Sequence, residues 1–163
     1  MISVRKASLK DVPTILQLWK EYMRYHDEII IKKNTKLKPH LIRKKNAANN
    51  FIRYIKKNIR SKNAMAYLAE VNGKPAGYCL ISIRKNTPIY KLEKIGYINE
   101  LFVRKEFRGR RISSKFRDEA IKWFKKRGMK YILLEVMSDN KFAHSIYGKW
   151  GFFDYHIEMR MKI

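Results

Sequence analysis

The chain switches repeatedly between two hydrophobic periods. "ISVRKAS", from Ile2, predicts a first strand. From Val12 the period becomes helical: Val12, Ile15, Leu16, Trp19, Tyr22 and Met23 fall on one face. Ser8 and Asp11 stand where caps are needed, and Pro13 lies in the first turn, where a missing N–H costs no helical bond. After an irregular basic stretch a second helix is predicted from Pro39 to Arg60. Its apolar stripe is Leu41, Ala48, Phe51, Ile52, Ile55 and Ile59, with Arg43, Lys44, Lys45, Arg53, Lys56 and Lys57 mostly elsewhere.

The middle of the chain reads as strands. "AMAYLAEV", Asn72-Gly73 and "KPAGYCLISIRK" form a hairpin signal, because Asn-Gly suits the positive φ angles of a tight two-residue turn. "KIGYINELFV" and "YILLEV" are the next two strands. Between them a helix runs from Arg111 to about Arg127, with Ile112, Phe116, Ala120, Trp123 and Phe124 inward and Gly128 placed to end it. Asp139 or Asn140 then caps a short helix ending at Gly151, and the tail "FFDYHIEMRMKI" is expected to close as a strand. The order is β-α-α-β-β-β-α-β-α-β, a mixed α/β (α+β) fold in a single domain over residues 1–163.

Charge changes the picture more than composition does. The net charge is +24, and residues 31–62 carry twelve Lys or Arg with no acidic residue between Glu28 and Glu70. Such a field attracts polyanions: a phosphate-rich cofactor, nucleic acid or an acidic protein surface. A solvated Lys-rich surface accounts for the same numbers. One cysteine, Cys79, excludes an intrachain disulfide framework and a cysteine-based metal cluster. No apolar run is long enough to span a bilayer and the N-terminus lacks a secretory leader, which points to the cytoplasm and to no membrane partner.

Residues 98–113 bring a strand, a glycine-containing turn and a helix start together. Anions bind in that geometry, because the first turn of a helix has unpaired N–H donors at the positive end of its dipole. The turn reads Arg108-Gly109-Arg110-Arg111-Ile112-Ser113, and Asn140, Ala143, Tyr147, Lys149, Gly151 and Phe152 follow at set spacing. The first stretch resembles the Arg/Gln-x-x-Gly-x-Gly/Ala motif of the GNAT acetyltransferases. The second resembles their Asn-x-x-Ala-x-x-x-Tyr-x-Lys-x-Gly-Phe signature. Together, in this order and with "YILLEV" between them, they are specific. Arg111 and Ser113 depart from the first motif by replacing glycines. The tolerant expectation is that both are right-handed helical and still donate their N–H groups, with Ser113 or Ser114 adding a hydroxyl and Arg110 and Arg111 a charge. Gly148, inside the last helix, is a further departure.

The resemblance implies the GNAT fold and an acetyl-CoA-dependent N-acetyltransferase acting by direct amine attack in a ternary complex, without metal. Acetyl-CoA would lie along Leu101, Phe102, Val103, Arg108, Gly109, Arg110, Arg111, Ile112, Ser113, Ser114, Asn140 and Ala143. Glu100 matches an acidic position often used as base in the family, with Glu135 in reserve, and Tyr147 matches the acid that protonates the leaving thiolate. Asn140 and Tyr147 lie about two turns apart, so both can face the cofactor. A base matters most for a lysine acceptor: with a pKa near ~10.4, neutralising it at pH 7 costs roughly 4–5 kcal/mol, against about 1 kcal/mol for an α-amine. Cys79 reads as core, and His26, His40, His144 and His156 show no metal-ligand spacing. Two other functions fit the same sequence: a scaffold docking on nucleic acid or ribonucleoprotein through segment 31–62, and an acyl-CoA-binding module without turnover. The acceptor stays open between a protein or peptide amine and a small amine, and homodimerisation is left open.

Overall fold

The computed structural model describes residues 1–163. Five strands form one sheet in the order β1-β2-β3-β4-β5. They are β1 (Ile2–Lys6), β2 (Ala64–Val71), β3 (Lys74–Lys85), β4 (Lys94–Val103) and β5 (Ile132–Leu134). The first four are antiparallel neighbours, and β5 runs parallel to β4. The Asn-Gly turn joins β2 to β3 with φ 49° at Asn72 and 75° at Gly73, as the hairpin reading requires.

Side chains alternate across a strand, so this sheet is apolar on both faces and needs helices on both. On one face α1 (Val12–Tyr25) and α3 (Ala47–Arg60) cover Leu68, Tyr78, Leu80 and Phe102 with Ile15, Leu18, Phe51 and Ile55. On the other, α4 (Ile112–Lys126) covers Tyr67, Cys79, Ile81 and Ile98 with Phe116, Ala120, Trp123 and Phe124. Gly96 lets α4 approach, since a Cβ there would stand 2.7 Å from the Phe124 ring. Ser8 caps the N-terminal turn as expected, its N–H and hydroxyl both donating to Asp11 Oδ2 at 2.7 and 2.9 Å.

Several expectations are corrected. Leu18 is fully buried on α1, whereas Met23 is only half-buried. The helical path does not end at Tyr25 but widens into a π-type turn over His26–Ile31. The predicted helix from Pro39 to Arg60 is two pieces: a single turn, α2 (Lys38–Leu41), and α3 starting at Ala47. Ile42 is extended at φ −63° and ψ 124°, and Arg43 turns back to donate to Asp27 Oδ1 at 3.0 Å. Between Leu41 and Ala48 the segment Arg43-Lys44-Lys45-Asn46 has nothing apolar to bury and repels itself, so a continuous helix gains little there.

"YILLEV" pairs with β4 only at Ile132–Leu134. The final strand is not formed: the tail after Gly151 carries no sheet pairing, and its apolar side chains are exposed. The observed order therefore stops at the fifth helix, α5 (Lys141–Lys149). An edge of three paired residues is too short to hold a strand of the tail's length. No helix is long and apolar enough to cross a membrane.

Candidate active site

A strand irregularity lies beside the end of the β4–β5 pairing. Leu80 stands opposite Glu100 but Ile81 opposite Ile98, which leaves Asn99 as an extra residue in β4. A bulge of this kind sharpens the local twist. Pairing between β4 and β5 stops at Ile98 and Leu134, and no backbone hydrogen bond joins the two segments beyond that point. Arg104 N donates to Ala76 O at 2.9 Å, so every second residue back along β4 bonds toward β3, including Phe102 opposite Tyr78. Leu101 and Val103 accordingly turn their N–H and C=O groups toward the gap left by β5. The Phe102 backbone faces β3, and its side chain is core.

The turn after β4 presents donors in series. No N–H from Gly109 to Ser114 donates to a backbone carbonyl, and the first bond of α4 is Lys115 N to Arg111 O at 3.1 Å. Gly109 has φ 78° and Arg111 φ 60°, and successive N–H groups around such left-handed residues converge on one concavity. The dipole of α4 adds positive potential at its N-terminus. Arg108 closes the turn, its Nε donating to Val103 O at 3.0 Å with the guanidinium 5.1 Å from the Tyr25 ring centroid. Arg110 sits over Phe107 and stays exposed. Ile112 is buried in the core beneath the turn, and Ser113 and Ser114 are half-buried in the first turn of α4. The tolerant expectation for Arg111 is overturned: it is the left-handed N-cap of α4, where a glycine would be unstrained. Ser113 lies inside the right-handed helix, as expected.

Glu100 lies beside this cleft on the α1/α3 face. The Tyr78 hydroxyl donates to its Oε2 at 2.5 Å, and no lysine or arginine pairs with it. Burial raises the Glu100 carboxyl to about 7, against the opposing pull of the Tyr78 hydrogen bond. Burial likewise pushes the phenols of Tyr22 and Tyr78 up, and the negative charge of Glu100 adds to both. Glu135 differs sharply: its carboxylate is 64% exposed and ion-paired with Arg84 at 3.3 Å.

On α5, Tyr147 is half-buried against Trp150 and Phe152 at ring separations of 5.5 and 6.1 Å. Burial raises its phenol too, and the thiol of Cys79, in β3, adds to the effect. Asn140 is the N-cap of α5, its side-chain oxygen accepting from Ala143 N at 3.1 Å. Cys79 is fully buried. His144 has a partner that sequence did not reveal, Asp154, 2.7 Å from its Nε2. Sequence reasoning also missed Arg104, which binds both oxygens of Glu21 at 2.8 and 2.6 Å and Pro75 O at 2.7 Å, tying α1 to the end of β4. The basic residue directly after an apolar strand was the available signal.

The model of the acetyltransferase (GNAT) family matches residues 16–152. The chain belongs to this family. An uncharacterized N-acetyltransferase of Methanocaldococcus jannaschii is 38% identical over 86 residues, 53% of this chain and 38% of the relative, so the match spans well under half of that protein. Among GNAT-like solved structures, a predicted acetyltransferase with acetyl-CoA from Clostridium acetobutylicum has a TM-score of 0.75 at 21% identity, covering 99% of this chain and 96% of that one. A mutant protein from Bacillus halodurans reaches 0.82 at 18% identity, with 99% of each chain covered. At these identities the two structures establish the shared GNAT fold.

Proposed function

We propose that this GNAT chain transfers the acetyl group of acetyl-CoA to a primary amine by direct attack within a ternary complex. The observation that carries the proposal is the unbroken series of free N–H groups from Gly109 to Ser114 at the mouth of the β4–β5 gap. Its donors suit a pyrophosphate, and Arg110 and Arg111 add positive charge at its rim. The gap then suits the pantetheine arm, with Leu101 and Val103 offering the backbone groups that an extended amide chain would meet. That the Clostridium relative was solved with acetyl-CoA supports the same cosubstrate here.

In this reading Glu100 removes the amine proton, directly or through one water, and its raised pKa makes it a base matched to neutral pH. The amine nitrogen attacks the thioester carbonyl, a C–N bond forms, and a backbone N–H of β4 stabilises the oxyanion. The C–S bond then breaks and the thiolate takes the Tyr147 proton, a phenol that burial keeps protonated. Glu135, exposed and paired with Arg84, is set aside as base. Asn140 acts mainly by capping α5, which fixes the helix that carries Tyr147.

The acceptor side is aromatic and rimmed by cations. Trp19, Phe51 and Tyr54 line a recess of about 280 Å³ with Arg43 and Lys44 at its edge. Phe51 is 6.5 Å from the ring of Tyr78, which itself binds Glu100. Arg43 is neutralised by Asp27, but Lys44 has no acidic partner. Such a recess favours an amine carrying an apolar or anionic group over a polyamine. The test is thiol release from acetyl-CoA against peptides, small amines and aminoglycosides. Acceptor-dependent release that Tyr147→Phe loses supports the proposal; acetyl-CoA binding without release from any acceptor refutes turnover.

A further inference from the structure

Two different surfaces follow one another along α3. Its first half gives Ala47, Asn50, Phe51 and Tyr54 to the aromatic recess that adjoins Tyr78. Its second half gives Arg53, Lys56, Lys57 and Arg60, with Ser61, to another recess of about 430 Å³ that has no hydrophobic lining. The two recesses adjoin, because the Arg53 guanidinium donates to the Asn50 side-chain oxygen. Positions 53, 56, 57 and 60 share one face of the helix, opposite the buried Phe51, Ile55 and Asn58. All four cations are exposed, and no carboxylate pairs with any of them.

This stripe works against the helix that carries it. Arg53 with Lys57 and Lys56 with Arg60 are like charges one helical turn apart, a spacing at which repulsion lowers helix stability. Lys57 and Arg60 lie in the last turn, where the helix dipole favours a cation, but Arg53 and Lys56 precede it. A row of bound carboxylates relieves both repulsions.

We propose that the stripe docks an acidic peptide segment whose N-terminal amine enters the aromatic recess as the acetyl acceptor. The acceptor role rests on the acetyl-transfer reading of the site. From residue 53 to residue 60 the helix rises about 10 Å, the reach of roughly three residues of extended peptide. Acidic side chains within about five residues of the amine therefore fall on the stripe. In the transfer the neutral α-amine gains the acetyl group and gives up one proton, and CoA leaves as its thiol.

A basic stripe alone suits phosphates as well as carboxylates. The neighbouring recess decides between them. Phe51 stands one ring from the Tyr78–Glu100 pair, where a primary aliphatic amine can react, and nucleic acid carries none. No acidic residue lies between Glu28 and Glu70, so this stretch holds no internal competitor for an incoming carboxylate. The cations also suit an α-amine, whose ordinary pKa near ~8 they lower, favouring the neutral nucleophile.

The test uses the full chain and three probes: a short peptide with a free N-terminus and Glu at its early positions, the same peptide with Gln there, and duplex DNA. Fluorescence anisotropy reads binding, thiol release from acetyl-CoA reads transfer, and thermal melts check folding. The Glu peptide is expected to bind about tenfold tighter than the Gln peptide, with an advantage that fades as salt rises and appears in KM. Lys56→Glu combined with Lys57→Glu is expected to abolish that ratio, whereas purely structural lysines would shift Tm and leave it. Equal binding of the two peptides overturns the proposal, even where other amines release thiol and acetyl transfer stands. So does a ratio that the double variant keeps. Duplex DNA that binds tighter than the Glu peptide, and loses that binding in the double variant, gives the stripe to nucleic acid and overturns it too. Glu-peptide binding that the double variant loses, without thiol release from any acceptor, upholds the docking surface and refutes acetyl transfer.

Discussion

The hydroxyl of Tyr78 donates to Glu100 across the β3–β4 ladder at 2.5 Å, one residue beyond the point where β4 bulges. The bulge and the hydrogen bond together decide what this carboxylate can do. The extra residue Asn99 shifts the β3–β4 register beside Glu100, and without Tyr78 a half-buried carboxylate would lack any partner that stabilises its charge. Tyr78 is itself fully buried between Phe51 and Phe102, so its hydroxyl is a fixed donor.

The pH dependence of acetyl transfer should report this pair. kcat/KM is expected to rise with slope one through about pH 7, as the raised Glu100 carboxyl ionises. Glu100→Gln removes that limb and lowers the rate by about 10²–10⁴-fold, the usual worth of a positioned base, while acetyl-CoA affinity is kept. Tyr78→Phe deletes the donor that favours the ionised form, so the limb moves to higher pH. An unchanged limb in both variants would remove Glu100 as the base.

Stability should respond in the opposite sense. The folded carboxyl keeps its proton up to about 7, whereas the unfolded one releases it near its ordinary value of 4.5. The native state therefore binds more protons between these values, and stability falls as pH rises across that window. Glu100→Gln should flatten this slope and leave the protein more stable than wild type above pH 7, as measured by urea melts at several pH values.

Arg111 occupies a left-handed conformation at φ 60° that disfavours every side chain with a Cβ. Arg111→Gly relieves roughly 1 kcal/mol of strain and should raise Tm by about 2–4 °C in a chain of this size. The same change deletes a guanidinium, so acetyl-CoA binding should become less sensitive to salt. A fall in Tm would show that the Arg111 side chain contributes more to the fold than its backbone costs.

Tyr147→Phe keeps the ring that packs on Trp150 and Phe152 and removes only the hydroxyl. Turnover should fall by about 10²-fold or more with acetyl-CoA affinity nearly intact, since only the proton donor is lost. Isothermal titration beside steady-state kinetics separates the two quantities, and equal turnover would exclude the acid role.

Arg104 joins α1 to β4 through a two-oxygen grip on Glu21. Arg104→Lys keeps the charge but loses the fork geometry, and should cost about 1–2 kcal/mol in denaturant unfolding. Its larger consequence should be in KM for the acceptor, because α1 carries Trp19 and Tyr22 toward the Glu100 side.

Local rules made much of this molecule legible before any coordinates. The Asn72-Gly73 hairpin, the ten residues of β4, the buried face of α4 and a cap at Asp139 or Asn140 each follow from period, turn chemistry or capping, which act within a few residues. The spacing of the two motif stretches likewise carried the family, to which the match over residues 16–152 assigns the chain.

What the sequence could not reveal depends on partners distant along the chain. Tyr78 and Glu100 are 22 residues apart, and only the β3–β4 register brings them together. Arg104 and Glu21 are 83 apart, and their pairing needs α1 laid across the sheet. The single predicted helix over Pro39–Arg60 failed where Arg43 found Asp27, a competing contact invisible to periodicity. The tail marks the sharpest division. Alternation alone determined that residues 153–163 suit a strand, but a strand exists only when a neighbour completes its hydrogen bonds, and the tertiary fold supplies none within this chain.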